Sequence, residues 1–199
     1  PAANILAYFV PEQGSQAARV ALVEFPSRRV VRTKNLFDVT SAKLHWHPQG
    51  DYLCVKVERV QKKQTVTNFE VFRMLEKDIP IDVFELPEAT VAFAWEPRGK
   101  RFAFAHGEGP RHNISFYSVA SGKVKLVVTL EKKPANSLFW SPRGKYIVLA
   151  GLRNLNGQLE FYNVEKQETM ATEEHFMATS IEWDPSGLFC ASVVSAWRQ

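Results

Sequence analysis

His45 and His47 lie two residues apart in an alternating stretch, so their side chains would project to the same side, with Cys54 close by in sequence. Imidazole and thiolate are zinc ligands, but no fourth ligand stands at a recognised spacing. Histidines of a core or turn are therefore the favoured reading. The motif G-x-S-x-G, which would carry a hydrolase nucleophile, is missing from the sequence. Gly107-Glu-Gly109-Pro110 lacks the third glycine and the strand-to-helix setting of a phosphate loop. The carboxylates are scattered, with no pair that can be set across a cleft for acid–base work. Asn113-Ile-Ser115 matches a glycosylation acceptor but opens a strand, and is discounted. The expectation is a chain with no catalytic, metal or cofactor-binding residues and no small-molecule ligand.

Cationic side chains carry more information. Arg98, Lys100, Arg101, Arg143 and Lys145 all follow tryptophan-proline turns in two successive segments of the chain. A rim of this kind attracts nucleic-acid phosphate. Aromatic residues for stacking single-stranded bases are missing from these turns, so RNA would be met through its backbone. A second group, Lys62, Lys63, Lys132, Lys133 and Arg153, is diluted by Glu88, Glu131, Glu173 and Glu174. The bland alternative is a solvated surface rich in Lys and Arg.

The elements that position these residues come from a repeat. Leu138 to Ile147 reads L-F-W-S-P-R-G-K-Y-I, and related phrases begin at Leu44, Phe93 and Ile181. The tryptophans Trp46, Trp95, Trp140 and Trp183 are followed by Pro48, Pro97, Pro142 and Pro185, then by Gly50, Gly99, Gly144 and Gly187. Tryptophan spacings of 49, 45 and 43 residues fall in the range of blade-type repeats. A second register keeps step: strand-like runs starting at Arg19, Asn68 and Asn113 each lie 27 residues before a tryptophan, and one from Gln158 lies 25 before.

Each unit holds four strand-like runs: A ending at the Trp, B after the Gly, C, and D. Strand A is apolar on both sides, whereas C alternates, with Glu70, Ser115 and Glu160 between hydrophobics, as expected nearer a rim. The reading is all-β: a β-propeller of WD-repeat-like four-stranded antiparallel blades, present as a partial arc. Three complete blades, about 41–86, 90–130 and 136–176, are flanked by incomplete ones over 1–35 and 178–199, all within a single propeller domain. Proline presets the first corner of the turn and glycine supplies positive φ. The Trp is expected to press against the neighbouring blade.

Length and composition agree with an ordinary globular chain: 199 residues, 45% hydrophobic, 23% charged, formal charge +4. No apolar run approaches a membrane span. Pro1 in place of an initiator Met points to a piece of a longer polypeptide. Cys54 and Cys190, both in apolar strand patterns, are expected as buried free thiols in a reduced compartment.

Several stretches resemble the b-subunit family of eukaryotic translation initiation factor 3. They are Lys34-Asn-Leu-Phe-Asp-Val, Lys43-Leu-His-Trp, Gly50-Asp-Tyr-Leu-Cys-Val-Lys-Val, Asn68-Phe-Glu-Val-Phe-Arg, Ala92-Phe-Ala-Trp-Glu-Pro, Phe139-Trp-Ser-Pro-Arg-Gly, Val148-Leu-Ala-Gly-Leu-Arg and Glu182-Trp-Asp-Pro-Ser-Gly. The resemblance covers nearly the whole chain. It implies a cytoplasmic, non-catalytic scaffold whose propeller docks on the small ribosomal subunit during preinitiation complex assembly. Its partners would be other initiation factor 3 subunits, small-subunit proteins and the rRNA backbone, with no membrane. Family members also carry an RNA-recognition-type domain and a helical tail, neither visible in this sequence. Two other readings compete: the propeller of initiation factor 2A, and a propeller gating a serine peptidase domain elsewhere in the polypeptide.

Overall fold

A computed structural model describes residues 4–120 and 122–195. The chain forms two compact units that divide between Ala89 and Thr90. Pro1 and Trp197 lie outside the described residues.

The first unit contains two sheets. β1 (Asn4–Val10), β2 (Ala18–Phe25) and β3 (Val30–Leu36) form a three-stranded antiparallel meander. β4 (Val39–Trp46), β5 (Tyr52–Gln61), β6 (Gln64–Arg73) and β7 (Ile81–Leu86) form a four-stranded one in chain order. Pro11 and Pro26, which cannot donate to a ladder, stand just past the ends of β1 and β2. The core of this unit joins its sheets: Val20 and Leu22 of β2 pack with Leu53, Val55 and Val57 of β5 and Phe72 of β6.

The second unit repeats the plan. β8 (Thr90–Trp95), β9 (Arg101–His106), β10 (His112–Ala120) and β11 (Lys123–Lys133) form one four-stranded meander. β12 (Ser137–Trp140), β13 (Tyr146–Gly151), β14 (Gln158–Asn163) and β15 (Glu168–Glu174) form the next, and β16 (Ser180–Trp183) pairs with β17 (Cys190–Val193). The only helical element among the described residues is the 3₁₀ turn Arg153–Leu155, so none of their helices is long and apolar enough to cross a membrane.

β12 lies against both β8 and β16, so the first strands of the three sheets run side by side. The largest cluster of this unit joins Ala103, Ala105, Ile114 and Phe116 of one sheet to Leu138, Trp140, Ile147 and Tyr162 of the next. The Trp140 indole N–H also donates to the Ala94 carbonyl (3.2 Å), and that of Trp183 to Phe139 (3.0 Å). Each acceptor is the residue just before the preceding tryptophan. The indole is thus both an apolar wedge and a polar latch between successive sheets.

Two expectations are corrected. The polar residues of the third strands do not mark a solvated rim. Glu70 and Ser115 are buried, and Glu160 is half-buried. Ser115 bonds the His106 ring (2.9 Å) and the Thr129 hydroxyl (2.8 Å), while Glu160 accepts from Lys133 (2.8 Å) and Thr169 (2.6 Å). The Ser115 and Glu160 groups tolerate burial because they are paired, whereas Glu70 has only the Lys34 ammonium, at 4.0 Å, as an ion-pair partner among the described residues, and burial raises its pKa. Cys54 is buried as expected, but Cys190 is only half-buried; both thiols are free.

Candidate nucleic-acid interface: a rim of charged turns

Four cations of the candidate rim, Arg98, Lys100, Arg143 and Lys145, occupy the β8–β9 and β12–β13 turns of the second unit, and the fifth, Arg101, opens β9. Both turns follow one plan, shared with those after β4 and β16. The residue after each Trp donates its backbone N–H to the aromatic or arginine carbonyl five positions on: His47 to Tyr52, Glu96 to Arg101, Ser141 to Tyr146, Asp184 to Phe189, all at 2.8–3.0 Å. Its own carbonyl receives the glycine N–H at Gly50, Gly144 and Gly187, whose φ values are +77°, +76° and +73°. The residue after the glycine then accepts a bond from the end of the third strand or just beyond: Asp51 from Met74, Lys100 from Val119, Lys145 from Val164. These bonds tie the first turn of a sheet to the region where its third strand ends.

The position between Trp and Pro is an acceptor in every copy, which sequence reading overlooked. His47 Nδ1 takes the Gln49 N–H (3.3 Å) and Ser141 Oγ the Tyr146 N–H (3.0 Å). Asp184 takes the N–H groups of Ser186, Leu188 and Phe189 and the Ser186 hydroxyl. The Ser186 hydroxyl first, and then the Phe189 amide, hold its carboxyl down at about 2. A signal was available, because Asp and Ser favour the opening position of a type I turn.

Glu96 is the variant with most consequence. Its buried carboxylate receives the Arg101 guanidinium bidentately, at 2.6 Å and 3.0 Å, and the Arg101 backbone N–H at 3.1 Å. The same guanidinium donates to the Gly144 carbonyl of the next turn (3.0 Å) and lies over the Trp140 ring, 5.7 Å from its centroid. The Glu96 hydrogen bonds push the Arg101 pKa further up, so its charge is permanent. A Cβ on Gly99 or Gly144 would come within 1.8 Å or 2.3 Å of this carboxylate. Gly99 is outside the positive-φ set, so its lack of a side chain serves close approach and not turn conformation.

Arg101 is therefore a clasp between turns. With Glu96 counted, its turn carries two net positive charges and not three. Arg98, Lys100, Arg143 and Lys145 are exposed, and none has an ion-pair partner among the described residues; the Lys145 ammonium lies 5.3 Å from the Tyr146 ring centroid. Of the second cationic group, Lys133 is engaged by Glu160.

The histidine–thiol cluster is also accounted for. His45 and Cys54 are cross-strand partners in β4 and β5, and burial, with Lys56 and Lys43 nearby, lowers the His45 pKa to about 4. His47 is buried and occupied by its turn, and burial pushes the Cys54 thiol well up. No cluster of potential metal ligands occurs among the described residues.

The family model described as "Eukaryotic translation initiation factor eIF2A" matches residues 34–199. The B subunit of eukaryotic translation initiation factor 3 from Xenopus laevis is 48% identical over 99% of this chain and 29% of its own length. The Nicotiana tabacum protein of that name is 49% identical over 98% of the chain and 29% of its length. The Arabidopsis thaliana one is 54% identical over 85% of the chain and 25% of its length. The chain thus spans under a third of these relatives. A solved structure described as "Crystal structure of the eukaryotic initiation factor" superposes with a TM-score of 0.81 at 22% identity, over 99% of this chain and 47% of that one. At that identity the likeness shows the fold, which is all-β and built of propeller blades. The chain belongs to the eIF2A family of eukaryotic translation initiation factors, and its sequence resembles the propeller region of the initiation factor 3 B subunit.

Proposed function

We propose that this chain is part of the propeller of a non-catalytic scaffold subunit of eukaryotic initiation factor 3, both units belonging to one propeller domain. It acts in the cytoplasm beside the other subunits of that factor. Its propeller docks on the small ribosomal subunit during preinitiation complex assembly, touching ribosomal proteins and the rRNA backbone. The observation that carries this reading is 45–54% identity to proteins named as the B subunit of that factor, sustained over most or all of the chain.

Arg98, Lys100, Arg143 and Lys145 supply the rRNA contact, and the Glu96–Arg101 clasp holds their turns in register. Lysine and arginine on short, tied turns suit backbone recognition, which needs cations at fixed spacing and no base-reading groups. The test is co-sedimentation of the full-length protein with small ribosomal subunits at two salt concentrations. Reversing these four charges together should weaken binding and flatten its salt dependence, by about 0.7–0.9 in log–log slope for each phosphate no longer neutralised. Arg101 is left intact, since its reversal would set two carboxylates together beneath the turn. Unchanged binding removes the rim from the proposal and leaves the scaffold role. The family model's description keeps initiation factor 2A as a second reading. Co-purification with other factor 3 subunits separates the two.

A further inference from the structure

A cavity of about 570 Å³ opens where the first strands of the second unit begin, toward the other end of those strands from the charged turns. Its volume lies within the range of about 300–1,000 Å³ typical of ligand sites. Val91 of β8, Ser137 and Phe139 of β12 and Ser180 of β16 line it, and the Arg153–Leu155 turn and the Gly109–Pro110 loop close it.

Three features of Arg153 bear on what this cavity receives. Its φ is +58°, a left-handed conformation disfavoured for a residue with a Cβ. The backbone holding it there is over-determined. Asn136 brackets Leu152, accepting from its N–H (3.0 Å) and donating to its carbonyl (3.0 Å). The Arg153 N–H is tied to Ala178 (3.1 Å), and the Gly157 N–H to Gly151 (2.7 Å). A Cβ on Gly157 would lie 1.7 Å from the His175 carbonyl oxygen, so the loop has no room to relax. Third, the Arg153 side chain is exposed and has no hydrogen-bond or ion-pair partner among the described residues. Arg28, Lys62, Lys63 and Lys132 share the positive φ, but Arg153 alone among them lines this cavity, with its backbone tied and its guanidinium uncommitted.

We infer that this cavity is a docking site for an acidic, partly apolar segment of a partner protein, with a carboxylate side chain received by Arg153 and an apolar neighbour resting on Val91 and Phe139. Arg153 is the only Lys or Arg in the lining among the described residues, and Glu108 adjoins the lining residue Gly109. One cation beside a carboxylate suits a single acidic side chain but not a polyanion, which needs several. The guanidinium fork matches a carboxylate, and the exposed Asn154 side chain adds amide donors. Within a lining that is mostly polar, Val91 and Phe139 give a neighbouring apolar side chain a place to rest. A scaffold of this design would meet RNA through its tied cationic turns and protein through this concavity. The inference does not depend on the rim.

The test is fluorescence anisotropy with the full-length protein and a labelled nine-residue peptide, Leu-Glu-Glu-Leu at its centre and Gly/Ser at its flanks. Its Gln-Gln analogue and a labelled oligouridylate are the comparison probes. Arg153→Gly should lower peptide affinity about tenfold or more without lowering the melting temperature, because glycine adopts the observed φ freely. Arg153→Lys should weaken binding less. Reversing Arg98, Lys100, Arg143 and Lys145 should leave it unchanged, which separates this site from the rim. The inference is overturned by equal binding of the Gln analogue, by Arg153→Gly binding as the parent does, by the oligouridylate competing for the site, or by no binding at millimolar peptide.

Discussion

Trp140 and Trp46 stand at the same position of the same motif, yet Trp140 is 7% exposed and Trp46 37% exposed. Trp140 has β8 alongside, which supplies the Ala94 carbonyl for its N–H, and Phe116 edge-on to its ring at 6.0 Å. Trp46 instead borders a cavity of about 750 Å³ with Ile5, Leu6 and Phe25, in a unit whose first sheet has three strands. The motif therefore sets the turn, but the energy of its tryptophan comes from the first strand of the preceding sheet. One indole is clamped between sheets and hydrogen-bonded; the other has the same turn and β1 near its strand, but no hydrogen bond for its N–H among the described residues.

Chemical denaturation of the 199-residue chain tests that difference directly. Trp140→Ala should cost about 3–5 kcal/mol by removing a wedge, a hydrogen bond and a cation–π contact together. Trp46→Ala should cost about 1 kcal/mol; equal costs would break the comparison. Glu96→Ala comes next, at about 2–4 kcal/mol, because it strands the Arg101 guanidinium beneath two turns. That range is below a fully buried pair since Arg101 keeps some water contact. The turn after Trp46 has the His47 ring in place of a carboxylate at that position, so His47→Ala should cost less than half as much, read in the same titration. Gly144→Ala, which meets both a positive φ and the Glu96 carboxylate, should cost about 1–3 kcal/mol.

Two smaller effects are seen in the pH dependence. Asp184 has its pKa depressed in the folded chain, so its contribution is present above the ordinary carboxyl value and is lost as pH falls toward about 2. Asp184→Asn should flatten stability across that acid window. His45, beside the exposed Trp46, is held neutral by burial and has a folded pKa of about 4. The unfolded chain binds the proton first, so stability should decline as pH drops from about 6.5 toward about 4 and level off below. His45→Gln should remove that slope, checked by melting temperature against pH.

The repeat was legible because tryptophan, proline and glycine each carry a conformational or packing meaning that survives in the bare sequence. Four in-phase copies gave the sheets and their strand order. What escaped was pairing. Glu96 lies among the rim residues in sequence, but nothing in a linear charge count shows that it cancels Arg101 or that the Arg101 guanidinium clasps Gly144. Ser115 and Glu70 alternate with hydrophobics as rim residues would, and their burial depends on partners from other strands and sheets, such as His106, Thr129 and Lys34. Arg153 looked like one more surface cation. Its left-handed backbone is held by the Asn136 bonds to the preceding Leu152 and by its own N–H to Ala178, partners 17 and 25 residues from Arg153 in the chain.

The carboxylate lodged between Gly99 and Gly144 also limits the order in which this region could change. Gly99 lies outside the positive-φ set, and the three atoms nearest an added methyl group all belong to the Glu96 carboxyl group. A methyl group there would therefore require Glu96 to swing away from Arg101 or to be exchanged for something short, such as the serine found at position 141. Either change orphans Arg101, so the route passes through a less stable ancestor unless Arg101 changes as well. Three residues that never adjoin in sequence are thus bound to a common history.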